Sequence, residues 1–267
     1  MTAERESHMN NEHAISVNNV GMTFRSRDGE DTTVLKGLDF HVEPGQFVSI
    51  VGQSGSGKTT LLKTISGLLE PTEGHVLVKG RPISEGLKDI AMVFQGPVLL
   101  PWRNNIDNVL LPLEFRGART NESRGYAREL LEMVGLGDKA ERYSYELSGG
   151  MQQRVAICRA LVSHPELLLM DEPFGALDAM TRDSMNFEIQ RIWQTTGCSI
   201  LFVTHSISEA VWLADRVVVV GDRPGRIVAD IVIDLPRPRG KEHRFSAAFS
   251  DYATEIESHI GVTTGIS

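Results

Sequence analysis

The segment that decides the fold reads FVSIVGQSGSGKTTLL and spans residues 47–62. It begins with a nearly continuous apolar run, Phe47–Val51, of the kind that is buried on both faces of a sheet. It ends in Leu61 and Leu62, where the pattern predicts a helix. The glycine-rich residues between them fit the pattern G-x-x-x-x-G-K-[ST], which requires a preceding strand and a following helix. The segment therefore predicts a phosphate-binding loop, called here the phosphate loop (residues 52–59).

The residue types of the phosphate loop explain how it would bind a nucleotide. Glycines let backbone N–H groups converge on phosphate oxygens, and the helix N-terminus adds partial positive charge. Lys58 supplies a full charge to the β- and γ-phosphates, and the Thr59 hydroxyl is suited to coordinating Mg²⁺. A glycine-rich turn that merely precedes Lys-Thr is the alternative, which the flanking strand and helix disfavour. The predicted nucleotide-binding residues here are Gly52, Gln53, Ser54, Gly55, Ser56, Gly57, Lys58, Thr59 and Thr60.

Two adjacent carboxylates end a second apolar strand, Leu167–Met170. Because successive strand residues point to opposite sides, neighbouring acids at a strand end can take different roles. We expect Asp171 to hold Mg²⁺, directly or through water, and Glu172 to accept a proton from the attacking water. The alternative is that these acids only cap the turn at Pro173. His205 follows the next apolar strand and is expected at the same sheet edge as a γ-phosphate contact, although a lone histidine is more often structural.

The rest of the chain predicts one α/β unit with insertions. Alternating apolar residues before the Pro44-Gly45 turn indicate an antiparallel opening sheet. Residues 96–163 change to helical periodicity and are expected to form an inserted helical subdomain. Later strands alternate with helices, which indicates a parallel sheet. A last helix is predicted because five apolar residues fall on one stripe: Phe245, Phe249, Tyr252, Ile256 and Ile260. The expected domains are a disordered extension (1–14), an ATPase domain (15–240) and a C-terminal helical tail (241–267).

Composition excludes several classes of function. With 267 residues and 41% hydrophobic content the chain can bury a substantial core, while a net charge of −8 disfavours nucleic acid as a ligand. The two cysteines, Cys158 and Cys198, lack metal-like spacing and are expected to be reduced core thiols. We find neither a signal-peptide pattern nor a stretch of about 20 apolar residues. The chain is therefore expected in the cytoplasm, with any membrane role supplied by a partner.

A further segment, Leu147–Arg154 (LSGGMQQR), restricts the possible protein families more than any other segment. Ser148, Gly149 and Gly150 open a helix and so form a second anion-binding helix start. The segment resembles the signature sequence of ATP-binding cassette (ABC) ATPases and is called here the signature segment. The resemblance implies a P-loop ATPase fold, ATP and Mg²⁺ as ligands, and a head-to-tail homodimer. In that dimer, ATP on the phosphate loop of one copy is capped by the signature segment of the other.

Other positions match the family pattern one by one. Gln95 resembles the glutamine that contacts Mg²⁺ and water and sits at the hinge with the helical subdomain. Asp178 resembles the residue of a loop that crosses the dimer interface. Phe24 stands where the family usually has an aromatic ring stacked on adenine; the alternative is that Phe24 belongs to the core. The resemblance covers residues 15–220. The expected catalytic residues are Glu172, His205, Gln95 and Lys58, and the expected Mg²⁺ ligands are Thr59, Gln95 and Asp171.

Two further sequence segments indicate a branch of the family. The branch that imports nitrate, sulfonate and taurine has segments that resemble Leu99–Trp102 and Arg223–Arg226. The chain is also expected to lack a large C-terminal regulatory domain. The leading hypothesis is an importer ATPase at the cytoplasmic face of the inner membrane, working with a separate permease and, indirectly, a substrate-binding protein. Val98–Trp102 is the candidate docking patch, with packing inside the helical subdomain an equal alternative. Other hypotheses are an exporter or lipoprotein-release ATPase, or a soluble ABC ATPase acting in DNA repair or translation.

Overall fold

The computed structural model describes residues 13–25, 29–221 and 223–261. Its strands are β1 (Ile15–Arg25), β2 (Asp31–Val42), β3 (Phe47–Gly52), β4 (Glu73–Val78), β5 (Arg81–Pro82), β6 (Ile90–Val93), β7 (Leu167–Asp171), β8 (Ser199–Val203), β9 (Arg216–Gly221) and β10 (Arg226–Val232). Its α-helices are α1 (Lys58–Ile65), α2 (Ile83–Gly86), α3 (Asn105–Val109), α4 (Leu111–Phe115), α5 (Asn121–Met133), α6 (Gly149–Leu161), α7 (Ala179–Thr196), α8 (Ile207–Leu213) and α9 (Ala247–Gly261). None of the helices in these ranges is long and apolar enough to cross a membrane.

A six-stranded sheet forms the centre of the molecule, in the order β10-β9-β3-β8-β7-β6. Strands β6, β7, β8, β3 and β9 run parallel, and β10 pairs antiparallel with β9. Every residue of β3, β7 and β8 is buried, as expected for a sheet covered on both faces. The carboxyl ends of these three strands meet at one edge and there present the phosphate loop, the two acids and His205. This confirms the predicted parallel core.

A second sheet is antiparallel and has the order β2-β1-β4-β5. Its inward-facing residues, including Ile15, Leu38 and Val42, are fully buried and pack against the residues of β3 that face the same side. The antiparallel opening sheet predicted from the alternating pattern is therefore confirmed. Because β2 joins β3 through the Pro44-Gly45 turn, this sheet is fixed directly to the strand that carries the phosphate loop.

Helices α3 to α6 occupy the interval in which the sequence predicts a helical subdomain. In α5 the residues predicted from periodicity, Ala127, Leu130 and Leu131, are all buried, whereas the polar face is exposed. The helix begins at a capping box in which Thr120 and Ser123 exchange side-chain to backbone hydrogen bonds. Residues 1–12 of the predicted disordered extension (1–14) lie outside the described residues.

The C-terminal helix corrects one expectation. Phe249 and Ile256 are buried as predicted, but Phe245 is 89% exposed and lies in a 3₁₀ turn before the helix. The Ser246 hydroxyl accepts a hydrogen bond from the Phe249 backbone N–H, 3.2 Å away, which caps the helix and makes Ala247 its first residue. Phe245 precedes that cap, so it does not share the apolar stripe. The prediction that Phe245 belongs to the stripe is wrong.

Candidate nucleotide-binding and hydrolysis site

The phosphate loop connects β3 to α1 and buries its lysine. Lys58 is 4% exposed, and its Nζ donates hydrogen bonds to the carbonyl oxygens of Gly52 and Gln53, both at 2.8 Å. Burial lowers the pKa of Lys58, while the carboxylates of Glu172 and Asp171 raise it. The cation is thus held by its own loop at the sheet edge where the two acids end β7.

Two glycines of the loop have no substitute. Gly57 has φ +92°, and a Cβ atom there would lie 2.5 Å from Leu35 Cδ2. At Gly52 a Cβ atom would overlap the carbonyl oxygen of Val220 on the neighbouring strand. Side chains at these positions would therefore force the loop away from the sheet, while glycine lets the backbone N–H groups stay close to a bound anion.

Thr59 and Asp171 form the part of the site that fits a divalent cation. The Thr59 hydroxyl donates to Asp171 Oδ1 at 3.0 Å. Neighbouring ligands of octahedral Mg²⁺, with bonds of about 2.0–2.1 Å, are separated by roughly 2.9 Å, so these two oxygens have the right spacing. Burial raises the pKa of Asp171, the Thr59 hydrogen bond opposes that effect, and the charge of Glu172 adds to it. A cation would relieve this cost, because it stabilises the ionised carboxylate.

Glu172 adopts a conformation that is rare for a residue with a side chain. Its φ is +43°, and its backbone N–H donates to the Val203 carbonyl at 2.9 Å. The Glu172 Oε2 atom lies 3.0 Å from His205 Nδ1. Strained backbone of this kind persists where the surroundings hold it in place, often at functional sites. Here it joins the carboxylate of β7 to the histidine that follows β8, as the sequence predicted for this sheet edge.

A cavity of about 460 Å³ brings together residues of the phosphate loop, Gln95 and Glu172, whereas the predicted residues Asp171 and His205 do not line it. Gln95 follows β6, and its Nε2 and Glu172 Oε2 each lie 3.7 Å from the position that a Cβ atom would take at Gly175. The glutamine and the carboxylate therefore converge on the cavity from adjacent strands. The cavity is lined by Val34, Ser54, Gly55, Gly57, Lys58, Thr59, Thr60, Gln95 and Glu172.

The signature segment lies apart from this cavity in the same chain. Ser148 caps α6, its hydroxyl accepting a 3.4 Å hydrogen bond from the Met151 N–H, and both Ser148 and Gly149 are exposed. Gly150 is buried against Thr181. The backbone N–H and the hydroxyl of Thr181 both donate hydrogen bonds to the Asp178 carboxylate. These hydrogen bonds lower the pKa of Asp178. Asp178 and the signature segment are thus neighbours, and neither lines the cavity.

Phe24 lies in β1 opposite Thr32 and is 41% exposed, but it is not among the residues that line the cavity. The stacking role predicted for it stays a prediction. Two residues near the site escaped the sequence analysis in this role. Val34 of β2 lines the cavity, and Arg223 Nε donates to the Gly55 carbonyl at 3.1 Å. Arg223 belongs to a segment that the sequence does single out, but only as a family resemblance.

Comparisons with known proteins agree with this geometry. The family model described as ABC transporter matches residues 35–175. The aliphatic sulfonates import ATP-binding protein SsuB of Pseudomonas fluorescens is 42% identical over 259 residues, which cover 97% of this chain and 92% of that protein. An uncharacterized ABC transporter ATP-binding protein of Methanocaldococcus jannaschii is 46% identical over 229 residues, covering 86% of this chain and 85% of that protein.

Solved structures give the same answer. The dimeric structure of an ATP-binding cassette in a post-hydrolysis state, bound to ADP and Pi, matches with a TM-score of 0.73 and 34% sequence identity. The match covers 83% of this chain and all of that one (100%). With the phosphate loop, the paired acids and the signature segment in one fold, these likenesses show that the chain belongs to the ABC transporter family and is one of its ATP-binding, ATP-hydrolysing subunits.

Proposed function

We propose that this chain is the ATPase subunit of an importer and that it couples ATP-driven closure of a homodimer to solute uptake through a separate membrane permease. The observation that carries the proposal is the division of the site. The phosphate loop and Glu172 share one cavity, whereas Ser148 and Gly149 form an exposed helix start elsewhere on the same chain. One nucleotide cannot use both helix starts of one copy, and a second copy resolves this.

Within one copy the residues have the following roles. The loop N–H groups and Lys58 bind the β- and γ-phosphates of ATP. Thr59 and Asp171 would hold Mg²⁺, with Gln95 as a further ligand, and the ion would supply positive charge against these phosphates. Glu172 takes the proton of the attacking water. His205, whose Nδ1 lies 3.0 Å from Glu172 Oε2, orients that water against the γ-phosphate.

Between two copies, Ser148, Gly149 and Gly150 of one chain cap the γ-phosphate bound by the other. Asp178, beside the signature segment, crosses the same interface. The dimeric state of the similar cassette structures supports this arrangement. ATP then favours the closed pair and hydrolysis releases it, so that the nucleotide biases a two-state element. Phe24 stacks on adenine in this proposal, for which its exposed ring in β1 remains available.

The permease contact is proposed at Val98–Trp102. Val98 is 63% exposed and Trp102 is 71% exposed, shortly after Gln95 in the chain. Arg159 of α6 donates to the carbonyl oxygens of Val98 at 2.6 Å and Pro97 at 2.9 Å. Since α6 begins at the signature segment, this contact links the patch to the helix that closes on ATP. Leu99 packs against the core, so the alternative of internal packing applies to this residue and not to Val98 or Trp102.

The solute is proposed to be a small oxyanion of the nitrate, sulfonate or taurine type, delivered by a substrate-binding protein to the permease. The support is that relatives with 42–46% sequence identity are named aliphatic sulfonates import ATP-binding proteins. The subunit itself lies at the cytoplasmic face of the inner membrane. An exporter or lipoprotein-release complex uses the same chemistry and is the second candidate.

Reconstitution tests the proposal. The chain is purified with its membrane partner, and the complex is placed in vesicles with ATP inside and the binding protein outside. We expect ATP-dependent uptake of taurine or an alkanesulfonate, and we expect Trp102→Ala to uncouple ATPase activity from uptake. The control Phe115→Ala removes another exposed aromatic side chain and keeps coupling. Outward transport, or an ATPase that binds no membrane protein, would contradict the proposal.

A further inference from the structure

Two histidines and a glutamate converge where the antiparallel sheet begins. His13 lies just before β1, and His41 and Glu43 lie at the end of β2 and just beyond it. Glu43 Oε1 lies 3.0 Å from His13 Nδ1 and 3.4 Å from His41 Nε2. The imidazole rings stack with their centroids 4.2 Å apart and an interplanar angle of 24°. One ligand atom from each of the three residues falls within 4.8 Å of the other two.

Strand geometry explains why these three residues meet. His41 and Glu43 are two residues apart in an extended chain, so their side chains share one face. The β1–β2 register pairs Ser16 with His41 and Ile15 with Val42, and it brings the residues just before β1 alongside the end of β2. The cluster therefore depends on pairing that is already required to bury Ile15 and Val42.

The separations from Glu43 Oε1 are compatible with a tetrahedral metal centre. Zinc binds histidine nitrogen and carboxylate oxygen at about 2.0–2.2 Å, which separates two ligand atoms by roughly 3.4 Å in tetrahedral geometry. The two distances from Glu43 Oε1 to the ring nitrogens are close to that value. Two imidazoles and one carboxylate form a common set of three protein ligands for zinc, with a fourth position open to water.

The positive charge that approaches the cluster is balanced by a carboxylate. Arg216 approaches His41, donating to its backbone carbonyl at 2.9 Å, but Arg216 is paired with Asp230 through two hydrogen bonds of 2.5 and 2.7 Å.

We propose that His13, His41 and Glu43 form a binding site for a borderline divalent cation, with Zn²⁺ as the best fit. The ion would join the start of β1 to the end of β2. Val34, seven residues before His41 in β2, lines the nucleotide cavity, so at about 3.3 Å per residue the two sites are roughly 20 Å apart. The site is therefore separate from the one that binds ATP and Mg²⁺.

Metal titration without nucleotide tests the proposal, because ATP itself binds zinc. Tag-free, chelator-treated protein is titrated with Zn²⁺ by calorimetry and with Co²⁺ by visible absorption. We expect one saturable site per chain and the strong absorption bands of four- or five-coordinate Co²⁺. His13→Ala, His41→Ala and Glu43→Gln should each weaken binding by at least about tenfold, since loss of even an outer-shell partner costs 10–100-fold.

His75→Ala is the matched control. His75 lies on β4 of the same sheet, where Nε2 contacts Asn18 Nδ2 at 3.2 Å, outside the cluster. That variant should bind Zn²⁺ like the parent, and zinc should raise its melting temperature and the parent's but not that of His41→Ala. ATPase activity of all these variants, measured without zinc, should equal the parent's. No saturable site in the parent, or equal affinity in His41→Ala and His75→Ala, would overturn the proposal.

Discussion

The chain contains two helix starts suited to anions, and their surroundings differ. At the start of α1 the chain itself supplies a buried Lys58, two acids at the end of β7 and a cavity lined by the phosphate loop. At the start of α6, Ser148 and Gly149 are exposed, and apart from its chain neighbours and its own helix backbone no described atom lies within 4 Å of a Cβ atom built on Gly149. The start of α1 is surrounded by groups of its own chain, whereas the start of α6 is exposed and can be completed by a second chain.

The electrostatics of the two regions follow the same division. Burial lowers the pKa of Lys58 and raises that of Asp171, so desolvation at the phosphate loop has already taken place in the free subunit. Ser148 and Gly149 of the signature segment are exposed to water, where the attraction of their N–H groups for a phosphate is weak. That attraction grows only when a second surface excludes the water. Substrate binding should therefore belong to the first region and closure to the second.

Replacement of Lys58 should have the largest effect on the first region. Lys58→Ala deletes the buried charge at the phosphates, so we expect ATP affinity to fall by about 100-fold or more, in line with roughly 3 kcal/mol for a charged hydrogen-bonding group. Lys63→Ala, an exposed lysine of the same helix, is the control and should bind ATP normally. Calorimetry measures both. Near-normal turnover by Lys58→Ala would refute the role of the phosphate loop.

Glu172→Gln should separate binding from chemistry. The amide keeps the size of the side chain but cannot take a proton, so hydrolysis should slow by about 10²–10⁴-fold while ATP still binds. The ATP-bound pair should then accumulate as a dimer in size-exclusion chromatography. ADP in place of ATP is the control and should leave the variant monomeric. Hydrolysis at the parent's rate would show that Glu172 is not the general base.

Ser148→Arg should affect the second region alone. A large cation at the exposed cap of α6 obstructs the approach of another chain, while the cavity of its own chain is unchanged. Placed in Glu172→Gln, it should abolish the ATP-dependent dimer and leave ATP affinity within about twofold of the parent's. Ser148→Ala removes only the hydroxyl and should weaken dimerisation by about tenfold or less, as expected for one hydrogen bond. A dimer that persists in the arginine variant would disprove the shared site.

The sequence predicts the first region more fully than the second. Phe47–Val51 and Leu167–Met170 are local apolar runs, and Asp171, Glu172 and His205 come directly after strands that end at one edge. By contrast, Val34 and Arg223 reach the phosphate loop only through tertiary packing: the backbone of Gly225 bonds to that of Val34 and Lys36, which brings the β9–β10 turn to β2. No local window contains that contact.

Pairing and capping explain the other differences. His13, His41 and Glu43 meet through the register of β1 and β2, which the sequence pattern does not fix to one residue. Arg239 lies in a stretch rich in proline and arginine, yet it is 1% exposed and donates to the carbonyls of Val211 and Ala214 near the end of α8. The last carbonyl groups of a helix lack partners within the helix, and here the guanidinium group of Arg239, distant in sequence, donates hydrogen bonds to them.

Alanine substitutions at the two glycines of the signature segment should have modest effects, and the effects should differ between Gly149 and Gly150. A Cβ atom at Gly150 would lie 2.5 Å from Thr181 Cγ2, so Gly150→Ala should destabilise the fold by about 1–3 kcal/mol in denaturant unfolding. Gly149→Ala meets open space and should leave stability unchanged or raise it by up to about 1 kcal/mol. It should nevertheless slow ATP hydrolysis several-fold, because the added methyl group meets the phosphate brought by the second chain. Unimpaired ATPase activity in Gly149→Ala would mean that the exposed helix start makes no close contact with nucleotide.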